Sequence, residues 1–255
     1  MKILKKIKKS KTLRWIYRST ILKIKWVIYY SSFIIDFISF KKNNDKRFSL
    51  NWSNRFPCLG EATADTNFDT HYIYHPAWAA RVIAQTKPEF HVDISSTLTF
   101  CSIVSAFVPV KFYDYRPANL TLKGLESNQA DLLKLPFANE SVKSLSCMHT
   151  VEHVGLGRYG DSLDPAGDLK AISELKRVLS PDGSLLFVVP IGQAKIMFNA
   201  HRIYSYQMII DNFKELKLNN FTLIPSSNKR IPNFEATKED SDKEEYACGC
   251  FWFTK

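Results

Sequence analysis

The sequence predicts an α/β domain in which a mostly parallel sheet is covered by helices on both faces. Short apolar runs alternate along the chain with segments of helical periodicity, a pattern typical of parallel sheets. Residues 184–189 (SLLFVV) form a continuous apolar run, as expected for a strand buried on both faces. The helix before this strand has the clearest signals, because Asp164 and Pro165 suit its start and residues 180–183 (SPDG) its end.

The other elements follow in the same alternating order. The further strands are predicted at residues 89–94, 111–114, 142–147, 221–224 and 247–253. The further helices are predicted at residues 72–86, at about 98–107, and from a cap at Ser205 to about 216. An apolar stripe of Leu169, Ile172, Leu175 and Leu179 marks the buried face of the helix that begins near Asp164. The highly charged residues 228–245 are predicted to form an exposed loop.

The basic character of the chain is confined to its first residues. The net charge is +10, yet residues 1–25 carry ten Lys/Arg and no acid, which leaves 25 basic and 25 acidic residues in 26–255. We therefore expect a basic amphipathic helical arm at residues 1–40, a linker at 41–70 and the α/β domain at 71–255. Nucleic acid is not expected as a partner, because no nucleic-acid-binding module follows the arm.

The arm has the composition of a helix that lies on an anionic membrane surface. Residues 26–40 (WVIYYSSFIIDFISF) form an apolar run interrupted by Asp36, and they are fewer than the roughly 20 needed to span a bilayer. An alternative is that the arm packs on its own domain or on a partner. The five cysteines are an odd number, and only Cys248 and Cys250 are close in sequence. This indicates a reducing compartment, and the protein is expected to be cytoplasmic and peripheral on the inner membrane.

Polar residues lie at the ends of three predicted strands and before one turn. Asp93 and Asp114 end two of them, Asp131 precedes a Leu-Leu-Lys-Leu-Pro-Phe turn, and residues 147–161 (CMHTVEHVGLGRYGD) leave the strand at 142–147. The carboxyl ends of parallel strands meet at one edge of the sheet, where such folds bind ligands. These side chains are therefore expected to converge on one site.

Three segments resemble class I S-adenosylmethionine-dependent methyltransferases: ADLLKLPFANESVKSLSCMHTVEHV, ELKRVLSPDGSLLFVVP and NAHRIYSYQMIIDNF. More narrowly, HVDIS, EHVGLGRYGD and FNAHR resemble the bacterial domain-of-unknown-function 268 family, whose members are generally classed with methyltransferases and associated with surface-polysaccharide genes. The resemblance covers about residues 65–227. It implies a Rossmann-like, mostly parallel seven-stranded sheet. It also implies an O-methyltransferase that acts on a hydroxyl of a sugar or of a sugar-phosphate or nucleotide-linked precursor.

The resemblance also assigns residues to S-adenosylmethionine. Asp93 and Ser95 fall in the first cofactor loop, and Asp114 takes the acidic position that binds the ribose hydroxyls. Asp131 and Leu132 fall where the family contacts the adenine. His149 follows the fourth strand and faces the methionine end of the cofactor.

The remaining reactive side chains are expected on the substrate side. His153 is the first candidate for the general base and His201 the second, since histidine titrates near neutral pH. Substrate binding is expected from Arg158, Tyr159 and Asp161, with guanidinium suited to phosphate. Glu152 is interpreted as fixing the loop through backbone N–H groups.

Two features of the sequence leave alternatives open. The loop from Asp93 to Thr99 (DISSTLT) lacks the glycines usual in the family, and a left-handed serine there costs about 1 kcal/mol. A non-catalytic binding or scaffold protein is therefore the rival interpretation. No metal is expected, although His149 and His153 are four residues apart and His201 and Asp161 could complete a ligand set. The intervening glutamate is not at the zinc-protease position, and both histidines follow a strand.

Overall fold

The computed structural model describes residues 11–45 and 47–255. The expected helical structure of residues 1–10 therefore lies outside the described residues. The chain divides into two compact units, the first ending at Asn67 and the second spanning Phe68–Lys255.

The first unit consists mainly of one long helix. Helix α1, Lys11–Lys42, is followed by a 3-10 turn at Trp52–Asn54. The ring centroids of Phe33 and Phe37 lie 6.2 and 4.9 Å from that of Trp52, so these aromatic side chains hold the turn against the helix. Among the described residues, no helix is long and apolar enough to cross a membrane.

The second unit contains the sheet and the remaining helices. Its helices are α2 Thr70–Thr86, α3 Leu98–Val104, α4 Gly167–Val178, α5 Tyr206–Asn212 and α6 Lys238–Asp242. Its strands are β1 His91–Ile94, β2 Val110–Asp114, β3 Leu125–Gln129, β4 Val142–Met148, β5 Leu179–Gly192, β6 Lys195–Met197, β7 His201–Ile203, β8 Lys217–Pro225 and β9 Tyr246–Thr254.

Seven of these strands form one sheet in the order β3-β2-β1-β4-β5-β9-β8. Strands β1 to β5 pair in parallel, and β9 is antiparallel to both β5 and β8. Strands β6 and β7 form a separate antiparallel pair. The predicted mostly parallel, seven-stranded sheet is therefore confirmed.

Alternate residues of the strands enter two apolar cores, one on each face of the sheet. In β5, Leu185 and Phe187 pack with Ile172 of α4 on one face. Leu186 packs with Ile83 of α2 on the other face. Because side chains alternate along a strand, a central strand that is apolar at every position is buried on both sides.

Local boundaries differ from the predictions where side chains take other partners. Helix α4 begins at Gly167 and not near Pro165, and the Asp164 carboxylate accepts a hydrogen bond from the Ala166 N–H in the turn before the helix. Leu169, expected in the apolar stripe, is 47% exposed, and Leu179 opens β5.

The prediction also missed several short elements. Strands β3, β6 and β7 were not predicted, and helix α5 ends at Asn212 rather than near 216. Part of the predicted loop at 228–245 is helix α6, which begins with a capping box between Thr237 and Asp240.

Candidate functional site

A cavity of about 380 Å³ lies at the carboxyl edge of the parallel strands. It brings together eight of the eleven residues predicted for the site, namely Ser95, Asp114, Asp131, Leu132, His149, His153, Tyr159 and Asp161. Its volume lies within the range of about 300–1,000 Å³ typical of small-molecule sites. Three predicted residues, Asp93, Arg158 and His201, are not among the residues that line it.

Asp93 is an internal anchor of the first loop, and it does not reach the cavity. Its side chain is fully buried and accepts hydrogen bonds from the Ser96 N–H at 3.0 Å and from the Ser146 hydroxyl. Burial raises the pKa of Asp93, although the bonds from Ser146 and Ser96 oppose that change. The family resemblance predicts a direct contact between Asp93 and the cofactor. In the structure, its carboxylate instead joins β1 to Ser146 of β4.

Ser95 takes the backbone conformation that glycine takes most easily. Its φ is +57°, and its N–H donates to the Tyr113 carbonyl at 2.8 Å. The missing glycine therefore does not abolish the turn, but a left-handed serine costs about 1 kcal/mol. With this conformation, Ser95 of the first loop lines the cavity.

Asp114 and Asp131 each stabilise a turn with one carboxylate oxygen. Asp114 Oδ1 accepts from the Arg116 N–H at 2.7 Å, and Asp131 Oδ1 accepts from the Leu133 N–H at 2.8 Å. Each carboxylate thus has a second oxygen next to the cavity. Charged acceptors in such positions form strong hydrogen bonds with hydroxyl or amino groups of a ligand.

His149 is held at the end of β4 in a left-handed conformation, with a φ of +54°. Its Nδ1 lies 2.9 Å from Glu152 Oε1, so Nδ1–H donates to the carboxylate. The predicted role of Glu152, bonding backbone N–H groups, is therefore wrong. The His149 ring lies against α2, with its centroid 4.9 Å from that of His75.

Asp161 fixes the loop by accepting hydrogen bonds from backbone N–H groups, as was predicted for Glu152. Its carboxylate accepts from the N–H groups of Gly155, Gly157 and Tyr159 at 2.8, 3.3 and 3.2 Å. Partial burial opposes ionisation, but these three donors lower the pKa of Asp161 overall. Asp161 therefore shapes the loop, and its direct contact with a substrate is not required to explain its position.

The two glycines of the loop are required by its backbone. Gly155 and Gly157 have φ values of +78° and +70°. A Cβ at Gly155 would overlap the carbonyl oxygen of Asp164. The loop can therefore turn back on itself only with glycine at this position.

Arg202 of β7 clamps the same loop, and the sequence did not single it out. Its side chain is buried, and Nη1 donates to the Val154 carbonyl at 2.6 Å. Nη2 approaches the carbonyls of Asp164 and Pro165 at 3.4 and 3.3 Å, and Nε lies 3.6 Å from Asp168 Oδ2. The only sequence signal was the FNAHR segment, whose arginine had no assigned partner.

His153 lines the cavity, and its Nε2 lies 3.8 Å from Glu152 Oε1. Its Nδ1 lies 2.6 Å from the Ala200 carbonyl, which can only accept, so Nδ1 carries the hydrogen. Burial lowers the pKa of His153, which leaves a neutral ring with a lone pair on Nε2. His201 lies beside it, with 6.4 Å between the ring centroids.

Tyr159 lies between two guanidinium groups at the mouth of the cavity. The guanidinium carbons of Arg116 and Arg158 lie 4.9 and 5.0 Å from the ring centroid. Arg158 also donates to the Ala200 carbonyl at 3.0 Å. Arg116 was missed because it follows Asp114 in an irregular segment without a recognisable motif.

A family model described as Caenorhabditis protein of unknown function, DUF268, matches residues 136–235. The predicted likeness to this family is thus found over the loop and the FNAHR segment. The description names Caenorhabditis and not the bacterial family that the sequence suggested. No curated protein matches the chain by sequence.

Solved structures resemble the chain in fold. A Galdieria sulphuraria protein described as a "putative sarcosine dimethylglycine methyltransferase" has a TM-score of 0.50 at 15% identity, covering 72% of this chain and 86% of that chain. A Burkholderia thailandensis 1,6-didemethyltoxoflavin-N1-methyltransferase with bound S-adenosylhomocysteine has a TM-score of 0.48 at 7% identity, covering 71% and 78%. A Thermotoga maritima SAM-dependent methyltransferase has a TM-score of 0.46 at 15% identity, covering 72% and 92%.

The second unit has a Rossmann-like methyltransferase fold. In this methyltransferase fold, β1 lies between β2 and β4, so the direction in which successive strands are added reverses at β1. Open α/β sheets bind ligands at this switch point, outside the carboxyl ends of the strands. Ser95 follows β1 and His149 follows β4, and both line the cavity. The cavity therefore occupies the place where this fold binds ligands.

Proposed function

We propose that this protein is an S-adenosylmethionine-dependent methyltransferase that transfers a methyl group to a hydroxyl. The observation that carries the proposal is one cavity lined by a first group of residues, Ser95, Asp114 and Asp131, and by a second group, His153 and Tyr159. The first group suits the cofactor and the second an acceptor. When bound, S-adenosylmethionine supplies an electrophilic methyl group on its sulfonium.

The residues on the cofactor side fit the polar parts of S-adenosylmethionine. Asp114 ends β2, and its second carboxylate oxygen has no hydrogen-bond partner among the described residues, so it can accept bonds from the ribose hydroxyls. Asp131 offers a second acceptor beside the apolar side chain of Leu132, a combination suited to the amino group and ring of adenine. Ser95 keeps its backbone in the conformation that the absent glycine would adopt.

Replacing Asp114 with Asn should weaken the binding of S-adenosylmethionine. Hydrogen bonds to charged groups contribute about 1.5–3 kcal/mol, so the dissociation constant should rise about tenfold to a hundredfold. Isothermal titration of the folded variant with S-adenosylmethionine measures the change. Asp182→Asn is the matched control, because Asp182 lies in β5 and does not line the cavity.

The titration also separates the proposed enzyme from its rival. If the folded wild-type protein does not bind S-adenosylmethionine, the methyltransferase proposal is excluded. A binding or scaffold protein that retains only the fold would then remain. Equal affinity of the wild type and the Asp114→Asn variant would exclude the ribose contact alone.

The acceptor side favours a hydroxyl on an anionic small molecule. Arg116 and Arg158 flank Tyr159, and guanidinium groups suit phosphate oxygens while an aromatic ring suits the apolar face of a sugar or base. We therefore propose a sugar phosphate or a nucleotide-linked sugar as the acceptor. A role in the synthesis of bacterial surface polysaccharide depends on the family resemblance and is part of the proposal.

We also propose that the basic arm binds an anionic membrane surface. Ten Lys/Arg and no acid occur in residues 1–25, and each surface cation contributes about 1 kcal/mol to such binding. Large apolar side chains of α1 are exposed, among them Leu22, Val27 and Ile35. These two features together favour a helix that lies in the interface.

Removal of residues 1–40 should abolish binding to vesicles that contain phosphatidylserine. Co-sedimentation of the full-length and truncated chains measures this, with neutral phosphatidylcholine vesicles as the control. The full chain should bind the anionic vesicles more strongly, and added salt should weaken that binding because it screens the charges. Equal sedimentation of the truncated chain would exclude the arm as a membrane anchor and favour packing on a partner.

A further inference from the structure

We propose that His75, His149 and Cys248 bind a zinc ion. One ligand atom from each residue, the two imidazole nitrogens and the thiol sulfur, lies within 4.8 Å of the others. The three residues come from α2, from the turn after β4 and from β9. This inference depends only on these contacts. Its test does not require the protein to be a methyltransferase.

The two histidines have the protonation pattern of metal ligands. His75 Nδ1 lies 2.7 Å from the His71 carbonyl, and His149 Nδ1 lies 2.9 Å from Glu152 Oε1. Both Nδ1 atoms therefore carry hydrogen, so in the neutral form of each ring the lone pair is on Nε2. Metal-bound histidines typically donate their other N–H to a carbonyl or a carboxylate, which fixes the tautomer and the ring orientation.

Both Nε2 atoms are buried and neither has a nitrogen or oxygen partner among the described residues, while the Cys248 thiol is a neighbour of the His149 ring. The His75 side chain has no exposed surface, and that of His149 is 7% exposed. An unpaired buried polar atom is unfavourable, and the great majority of such atoms in proteins have a partner. Two unpaired nitrogens beside one thiol are explained together if they bind the same ion.

The chemistry of the three ligands favours zinc. Zinc binds thiolate at about 2.3 Å and imidazole at about 2.0–2.1 Å in tetrahedral geometry, and these lengths place ligand atoms about 3.3–3.6 Å apart. Movements of about 1 Å would bring the three ligand atoms within bonding distance of one ion. Cys248 would lose its thiol proton to solvent on binding, and the thiolate would form the bond to zinc. A water molecule is the expected fourth ligand, as in other three-ligand zinc sites.

This ligand set differs from the one considered from sequence spacing. The sequence suggested His149 with His153, His201 and Asp161, and favoured no metal. In the structure, His153 Nδ1 bonds the Ala200 carbonyl, and Asp161 is occupied by backbone N–H groups. The partners of His149 are instead distant in sequence, and they converge because α2 packs on the sheet that contains β4 and β9.

Zinc content and cobalt spectroscopy of the full chain test the proposal. We expect one zinc ion per chain after titration with Zn²⁺, a higher melting temperature with zinc than with a chelator, and a thiolate-to-cobalt charge-transfer band with Co²⁺. Cys248→Ser should lose this band. Cys250→Ser should retain it, because Cys250 is equally buried on the same strand but lies outside the ligand set.

A positioning variant keeps the test valid if the ligand variants fail to fold. Glu152→Gln preserves the size of the side chain and should weaken zinc binding about 10–100-fold, as for other residues that orient a metal ligand. A folded wild-type chain that takes up no zinc would overturn the proposal. Loss of the cobalt charge-transfer band from folded Cys250→Ser together with its retention in folded Cys248→Ser would also overturn it.

Discussion

Replacement of Arg202 with Met is expected to destabilise the second unit by about 3–5 kcal/mol, the usual cost of removing one partner from a buried ion pair. The Arg202 side chain is buried, with Nε 3.6 Å from the Asp168 carboxylate and Nη1 2.6 Å from the Val154 carbonyl. Methionine fills a similar volume but donates no hydrogen bond. The substitution would leave Asp168 buried with the Tyr204 hydroxyl as its remaining side-chain partner.

Denaturant unfolding followed by circular dichroism measures this loss. Lys238→Met is the control, because Lys238 pairs with Asp242 and both side chains are exposed, at 45% and 48%. Exposed pairs contribute about 0–1 kcal/mol, so the control should remain close to the wild type. A loss below about 1 kcal/mol for Arg202→Met would show that the loop is held by other contacts.

Replacement of His153 with Ala is expected to lower kcat about 10²–10⁴-fold, the usual contribution of a general base. The Ala200 carbonyl holds the ring by Nδ1, and Nε2, which lies 3.8 Å from Glu152 Oε1, is the nitrogen that would receive the proton of an acceptor hydroxyl. His153 lines the cavity, and burial lowers its pKa, so its base form is present near neutral pH. Binding of S-adenosylmethionine should remain close to that of the wild type, since the cofactor side is unchanged.

Formation of S-adenosylhomocysteine with a panel of sugar phosphates and nucleotide sugars measures kcat for this variant. His201→Ala is the matched comparison, because His201 is adjacent but is not among the residues that line the cavity. We expect His201→Ala to retain much more activity than His153→Ala. Full activity of His153→Ala would exclude this residue as the base and leave the methyltransferase proposal intact.

The candidate site could be predicted in part because parallel strands bring their carboxyl ends to one edge. Asp114, Asp131 and His149 follow different strands, and this topological rule placed them together without any knowledge of their contacts. The rule does not specify how far each side chain reaches. Asp93 ends β1 as predicted, but Ser96 and Ser146 bind its carboxylate within the protein.

The roles within the EHVGLGRYGD loop could not be predicted from the order of its residues. Glu152 and Asp161 are both acids of the same loop, yet one bonds His149 and the other bonds three backbone N–H groups. Glycines with positive φ reverse the chain between them, and this reversal decides which acid faces the backbone. Hydrophobic periodicity carries no information about such a reversal.

By itself, the sequence determined the fold class and the order of most strands and helices, because local periodicity and turn residues depend on near neighbours along the chain. It also determined that the basic charge belongs to the first residues and not to the α/β domain. Only the tertiary structure decided that His75 and Cys248 are the neighbours of His149, and that Arg202 holds the loop. These contacts join residues far apart in sequence, and they form only when helix α2 and strand β7 pack against the sheet that contains β4 and β9.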